Sequence, residues 1–311
     1  MIFSKEEILL APLAGYTDLP FRRVCRNQGL RYAYTALIDA GALVYGNREN
    51  PAILKRGDDE EWLGVQLLGS RLDFLEKAAP MLEAMEYDEF NFNMGCPVRK
   101  VMQRNAGAAL LDVPEHALAC IRLLRKLVKR PFTVKMRILS EDDVEATVEF
   151  CRQLESAGVD GLIIHGRMAA RVYSGPVKID VISAVREAVR IPVVANGGIF
   201  KLEDAVSLRE GTGCERVMVA RGAIGNPWIF RSLLSGGEYV PSRKEVLDVM
   251  AGHVSDMMEL YGEEPGLVNA RKIILGYMGG RGYFKRSLKL DVCKIRTSTQ
   301  WHDFLEKLAD T

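Results

Sequence analysis

The chain has 311 residues, 48% hydrophobic and 27% charged, with 42 Lys and Arg against 41 Asp and Glu for a net charge of +1. That balance excludes a disordered or fibrous chain and a polycation built throughout for nucleic acid, and it leaves enough apolar material for one large domain with or without a small one. The N-terminal MIFSKEEILLAPLAGY has no basic stretch ahead of an apolar segment, and no apolar run nears membrane-spanning length, so a cytoplasmic protein without membrane association is expected.

Taken in chain order, short apolar runs recur at even spacing: ILLAPLAG (8–15), YAYTALI (32–38), LGVQLLG (63–69), EFNFNMG (89–95), FTVKMRI (132–138), GLIIHGR (161–167), IPVVANGG (191–198) and RVMVARG (216–222). Their continuous apolarity suits strands buried on both faces of a parallel sheet. Helical patterns lie between them. SEDDVEATVEFCRQLESAG predicts an N-cap at Ser140, a buried face of Val144, Val148, Cys151 and Leu154, and a stop at Gly158. PEHALACIRLLRKLVKR starts on Pro114 and ends in cations, as the helix dipole favours. Eight such β/α units predict a (β/α)8 TIM barrel. A doubly wound open sheet is the alternative, but neither GxGxxG nor a Walker A sequence is present. After GEYVPSRKE the strand runs stop, which predicts a barrel over 1–239 and a small all-helical domain over 240–311.

The six cysteines (25, 96, 120, 151, 214, 293) form no CxxC pair and no framework, which points to a reducing compartment, no metal site and no disulfide scaffold. Cys25, Cys120, Cys151 and Cys214 read as small buried apolar residues. Cys96 differs. It sits in NMGCPVRKV, just past a strand and before the loop RNAGAALL, where Pro97 biases it toward extended backbone.

Barrel active sites form at the C-terminal strand ends. Those ends carry Pro12–Leu13–Ala14, Gln66, Asn93 with Cys96, Lys135 with Arg137, His165 with Arg167, Asn196–Gly197–Gly198 and Ala220–Arg221–Gly222. The last two turns follow strands 7 and 8, the usual phosphate site of such barrels, where glycines let backbone N–H groups approach an anion and Arg221 adds charge. With Lys135 to face the pyrimidine end of the ring, such a site can hold flavin mononucleotide (FMN). A local basic excess lies further on. Arg271, Lys272, Arg281, Lys285, Arg286, Lys289, Lys294 and Arg296 stand against Asp291 alone, interleaved with Tyr277, Tyr283 and Phe284.

Together APLAGYTD, VQLLGS, NMGCPVRKV with NAGAALL, TVKMR, IIHGR, VVANGGI and VARGAIGNPWIF resemble the dihydrouridine synthase family of flavin-dependent RNA-modifying enzymes, in order from residue 11 to 230. The resemblance implies reduction of uridine in tRNA to 5,6-dihydrouridine, with tightly bound FMN and transient NADPH. It implies Cys96 as catalytic acid, delivering a proton to C5 while hydride from flavin N5 reaches C6. A thiol suits that role because it is largely protonated at neutral pH. Flavin contacts would come from Pro12, Leu13, Ala14, Gln66, Lys135, His165, Asn196, Gly197, Gly198, Ala220 and Arg221. Asn93 and Arg137 would lie near the target uracil, and Arg99, Lys100, Arg271, Lys285 and Arg286 would meet RNA. Departures from the family pattern are Leu13 for the usual Met, Gly198 where an acid is common, and Met168 after HGR where Thr is usual. Other readings share parts of this pattern: a flavin barrel acting on free pyrimidines, like dihydroorotate dehydrogenases, the same reaction on rRNA, or a non-catalytic RNA-binding protein. A monomer is the default assembly.

Overall fold

The computed structural model describes residues 7–47, 50–280 and 282–310. Its parallel strands are β1 (Ile8–Leu10), β2 (Tyr32–Tyr34), β3 (Leu63–Leu68), β4 (Glu89–Met94), β5 (Phe132–Arg137), β6 (Gly161–His165), β7 (Val193–Asn196) and β8 (Arg216–Val219). Neighbours in sequence are neighbours in the sheet, and β8 pairs back onto β1 with Met218 opposite Leu9. Pairing of Tyr34 with Gly64 joins β2 to β3 and closes the ring. A two-residue strand, Ile38–Asp39, extends it beside Leu67 and Leu68. The chain is a (β/α)8 barrel followed by helices, as its alternating runs predict.

Every strand residue of β4 is buried, yet its inner and outer faces differ in chemistry. Phe90, Phe92 and Met94 belong to the main apolar core under the helices, together with Val65, Phe132, Val134 and Ile164. The alternate positions point into the barrel. On one side they are apolar, with Leu9, Tyr32, Ile163, Val194 and Met218 in a core cluster of their own. On the other they are the buried polar residues Gln66, Glu89, Asn91, Asn93 and Thr133. The sequence reading took these runs as continuously apolar. The structure shows that burial on both faces is right and that EFNFNM alternates by design of its period of two. Gly64 makes room for Tyr34, whose ring atoms would lie 2.5 Å from any Cβ there.

The helix at Val144–Ser156 is capped by Asp143, whose Oδ1 accepts from Ala146 N (3.1 Å), and not by Ser140. Ser140 Oγ instead accepts from the amides of Asp142 and Asp143, a turn that delivers Asp143 to the cap. Val148, Cys151 and Leu154 are buried as expected, while Val144 is only partly so.

Beyond residue 242 the regular elements among the described residues are helical: Arg243–Tyr261, Glu263–Tyr277 and Ser298–Ala309, with short turns between. They dock on the barrel through an aromatic cluster. Trp228 meets Tyr277 edge to face at 6.1 Å, His253 meets Tyr277 at 5.9 Å, and Phe21 meets His253 at 5.8 Å. Trp228 Nε1 also donates to Glu245 (2.6 Å). Gly225, at φ +65°, sits in the loop after β8 directly against the backbone of Gly276, where any Cβ would overlap it.

Gly225→Ala should therefore lower stability by about 2–4 kcal/mol, through overlap and left-handed strain. Gly237, which has open surroundings, should tolerate alanine. Thermal melts of the two variants check the contrast.

Candidate active site at the C-terminal rim of the barrel

The turn carrying Cys96 is built from the strand below it. Asn93 ends the inner face of β4, and its Oδ1 accepts from the amides of Gly95 (3.1 Å) and Cys96 (3.0 Å). From the other side RNAGAALL closes down, with Ala108 N donating to the Cys96 carbonyl (3.0 Å). Gly107, at φ +63°, has no room for a side chain against Cys96. The thiol residue is left half-buried and faces a cavity of about 340 Å³.

Lys135 and His165, from β5 and β6, face that cavity too. Lys135 Nζ donates to Asn196 Oδ1 (2.8 Å), and Asn196 Nδ2 donates to the Met218 carbonyl (2.7 Å). Burial, aided by the neighbouring Arg137, brings the Lys135 ammonium down to about 7, while Cys96 is near enough to oppose that shift. His165 is held neutral: burial and then the charges of Lys135, Arg137 and Arg167 push it down to about 2. Its Nδ1 is buried without a partner among the described residues.

Arg137 spends most of its N–H groups on loop carbonyls: Gly95 (2.9 Å), Met168 (3.0 Å) and Val172 (2.7 Å). It ties the cysteine turn to the loop after β6, in which Met168 stands where the family usually has Thr. Val172, a β-branched residue at φ +52°, is held there against its own preference. The bend presents Tyr173, and the guanidinium of Arg221 lies 3.9 Å from its ring centre and 5.5 Å from that of Phe200.

The turns after β7 and β8 interlock, since any Cβ at Gly222 would strike the Ile199 carbonyl. Gly197 (φ +124°) and Gly198 (φ +76°) need glycine's freedom to turn back beside His165. Among the described residues lining the cavity there is no Asp or Glu, while Lys135, Arg137 and Arg221 all line it. Arg167 stands behind the lining, its Nε donating to the Gly175 carbonyl (2.8 Å). The cavity thus favours an anionic ligand with hydrogen-bonding groups.

All the residues expected to hold a cofactor line this cavity except Gln66. Gln66 lies beneath it, fully buried, donating to Asn91 and accepting from Asn93, each at 2.7 Å. Asn93, Cys96 and Arg137 are brought together at the rim. Arg99 and Lys100 are exposed on the short helix that follows, outside the cavity lining. Lys285 and Arg286 are exposed on the distant helical segment, and Arg271 is tied to the Ile295 carbonyl (2.8 Å). Arg281 lies outside the described residues. Sequence reasoning missed Tyr16, Tyr173 and Phe200, which also line the cavity. The signal available was an aromatic shortly beyond a marked turn, Tyr16 one residue after Gly15, Phe200 two after Gly198 and Tyr173 six after Arg167. Among the described residues, no group of three or more His, Cys, Asp or Glu could hold a metal ion, and no helix is long and apolar enough to cross a membrane.

A family profile described as "Dihydrouridine synthase (Dus)" matches residues 9–309. The chain belongs to the dihydrouridine synthase family. It is 33% identical over 281 residues to tRNA-dihydrouridine synthase B of Pasteurella multocida, covering 89% of this chain and 85% of the relative. The probable tRNA-dihydrouridine synthase of Rickettsia conorii is 34% identical, covering 88% and 84%. The tRNA-dihydrouridine synthase B of Vibrio cholerae is 32% identical over 314 residues, covering 98% and 96%.

In this family member Lys135 costs the ligand-free protein stability, because its folded pKa of about 7 lies below the ordinary 10.5. The penalty is full below the folded value and fades as pH climbs towards the unfolded one. Lys135→Met should accordingly raise the Tm of ligand-free protein by ~5 °C at about pH 6. The gain should shrink towards about pH 10. Melts across that range check the sign, and a pH-independent gain would rule out the charge as its cause.

Proposed function

We propose that the protein is an FMN-dependent tRNA-dihydrouridine synthase, reducing specific uridines to 5,6-dihydrouridine with NADPH as transient reductant in the cytoplasm. The observation that carries this reading is the Cys96 thiol, fixed at the rim of a cavity that it shares with Lys135, Arg137 and His165 and that no carboxylate lines. Family membership and the names of the relatives support it.

The residues present suit FMN. The glycine turns offer backbone N–H groups beside the cavity-lining Lys135 and Arg221, a cationic setting that suits a phosphate. Gly197, Gly198, Ala220 and Arg221 would hold the phosphate, Pro12 to Ala14 the ring edge, and Lys135 with His165 its polar end. Gln66 would join them only by giving up Asn91 or Asn93. When bound and reduced, the flavin supplies hydride to C6 of uracil, whose C5=C6 bond is conjugated with the C4 carbonyl.

The chain's own residues complete the reaction. Charge develops on uracil as C6 gains hydride, and Cys96 gives its proton to C5, so the base gains one hydride and one proton. The thiolate left behind is stabilised by Lys135 and Arg137, both within electrostatic reach, until solvent reprotonates it. Asn93 holds the turn still, and Tyr16, Tyr173 and Phe200 line the cavity with aromatic surface. The uridine must leave its stack to arrive there, at a cost of a few kcal/mol.

Residues 240–311 are the proposed RNA-binding domain. A second cavity, about 600 Å³, lies between the barrel and these helices, and Tyr16 borders both cavities. Lys55 and Lys272 line it, and burial lowers the Lys272 ammonium. Lys285 and Arg286 are exposed elsewhere on the helical segment. Several other cations of the segment are already committed, Lys294 to Asp291 and Arg296 to Glu264, each at 2.8 Å.

Cys96→Ala should retain the yellow flavin and its reduction by NADPH while losing all but ~1% of uridine reduction. Single-turnover formation of dihydrouridine at the wild-type rate would sink the assignment. Replacing Lys285 and Arg286 by Glu should weaken tRNA binding ~10-fold or more and flatten its salt dependence. Filter binding over a salt series reads both. A colourless preparation would instead favour a non-catalytic RNA-binding protein.

A further inference from the structure

The inner face of the barrel holds a chain of hydrogen bonds that begins at its base and ends at the catalytic turn. Glu89 Oε1 accepts from the Tyr34 hydroxyl (2.7 Å) and from Thr133 Oγ1. Thr133 Oγ1 accepts from Asn91 Nδ2 (2.6 Å). Asn91 Oδ1 accepts from Gln66 Nε2 (2.7 Å), and Gln66 Oε1 accepts from Asn93 Nδ2 (2.7 Å). Asn93 Oδ1 finally accepts from the amides of Gly95 and Cys96. All of these side chains are buried.

Each amide in the chain has one donor end and one acceptor end, so its orientation is dictated by the neighbour below. Asn93 can turn Oδ1 towards Cys96 only if an acceptor lies under its Nδ2. Gln66 supplies one only if its own Nε2 finds Asn91 Oδ1. Asn91 in turn needs Thr133 to accept, which it does because its hydrogen is taken by Glu89. An acceptor at the base therefore sets the direction of every bond above it. Burial pushes the Glu89 carboxyl up to about 8, against the hydrogen bonds from Thr133 and Tyr34, which favour the anion. Protonated on Oε2, which has no partner among the described residues, it avoids a buried charge and keeps Oε1 free to accept. Amides cannot relay a proton along such a chain, so its work is orientation.

We propose that Glu89, Thr133, Asn91 and Gln66 are positioning residues which, through Asn93, fix the turn that presents Cys96 to its substrate. The inference rests on the proposed role of Cys96 but is testable without it. The thiol itself reports. In a Cys293→Ser background, which removes the other non-buried cysteine, iodoacetamide labelling of Cys96 is followed by mass spectrometry on the full-length protein as purified. Steady-state reduction of a tRNA transcript is measured in parallel.

Thr133→Val keeps the shape and removes the hydroxyl that joins Asn91 to Glu89. It should speed labelling of Cys96 at least threefold and lower kcat about tenfold with KM unchanged, and Thr133→Ser should restore both. Tyr34→Phe removes a bond of equal burial that lies off the chain, and it should leave labelling and kcat near wild type. Wild-type labelling and kcat in folded Thr133→Val would overturn the proposal. So would a Tyr34→Phe or Thr133→Ser variant as impaired as Thr133→Val, since loss of packing would then suffice. Should Thr133→Val not fold, Asn91→Leu cuts the next link and is judged by the same readings. A protein that reduces no uridine yet shows the labelling contrast would defeat the proposed reaction and leave the positioning role standing.

Discussion

A polar side chain inside a barrel that is buried on both faces has no water to turn to. It must find its partner within the barrel or not be there at all. That constraint organises this structure. Half of the inner face is filled conventionally by Leu9, Tyr32, Ile163, Val194 and Met218. The other half is polar, and from Glu89 Oε1 through Thr133, Asn91 and Gln66 to Asn93 each group is matched to the next. The matched half lies under Cys96, while the apolar half lies on the side of β6 to β8 and β1, where the glycine turns begin. The floor of the site is thus divided into a part that holds direction and a part that only fills space.

At the rim the balance changes. The cavity gathers Lys135, Arg137 and Arg221, and no Asp or Glu lines it among the described residues, so the ligand-free protein carries an unreturned electrostatic cost at Lys135. Sites that keep such a deficit in the absence of ligand recover it on binding, which is how a preorganised site gains affinity for an anion. Arg137 stands apart from this group. Its guanidinium is largely committed to carbonyls of two loops, and it serves the site by holding them together.

Much of this was legible in the sequence, for identifiable reasons. The eight runs declare themselves because each strand is short, apolar and followed by a polar or glycine turn. The cavity residues from Pro12 to Arg221 fall at strand ends, where barrel geometry must bring them together. EFNFN displays the inner polar chain in its alternation, which total apolarity hides. Ser140 starts the acidic stretch and so resembles a cap, whereas the backbone spends it one turn earlier. Tyr173 and Phe200 follow marked turns, but loops after β6 and β7 carry no periodicity to say which way their side chains face. The aromatics of the C-terminal segment proved largely structural. Tyr277 and Phe284 are buried, and Tyr283 donates to the Pro241 carbonyl.

The contact between Gly225 and Gly276 bears on how this protein could be recombined. A methyl group at Gly225 would overlap the Gly276 backbone and one at Gly276 would press on Ile224, so the loop after β8 and the helix at Glu263–Tyr277 fit as a matched pair. Grafting a foreign helical region onto this barrel would bring a partner shaped for another loop. The natural seam for a chimera is therefore not the end of the strand-bearing region near residue 239. It lies upstream of β8, so that the turn around Arg221, its glycine and the helices travel as one inherited piece.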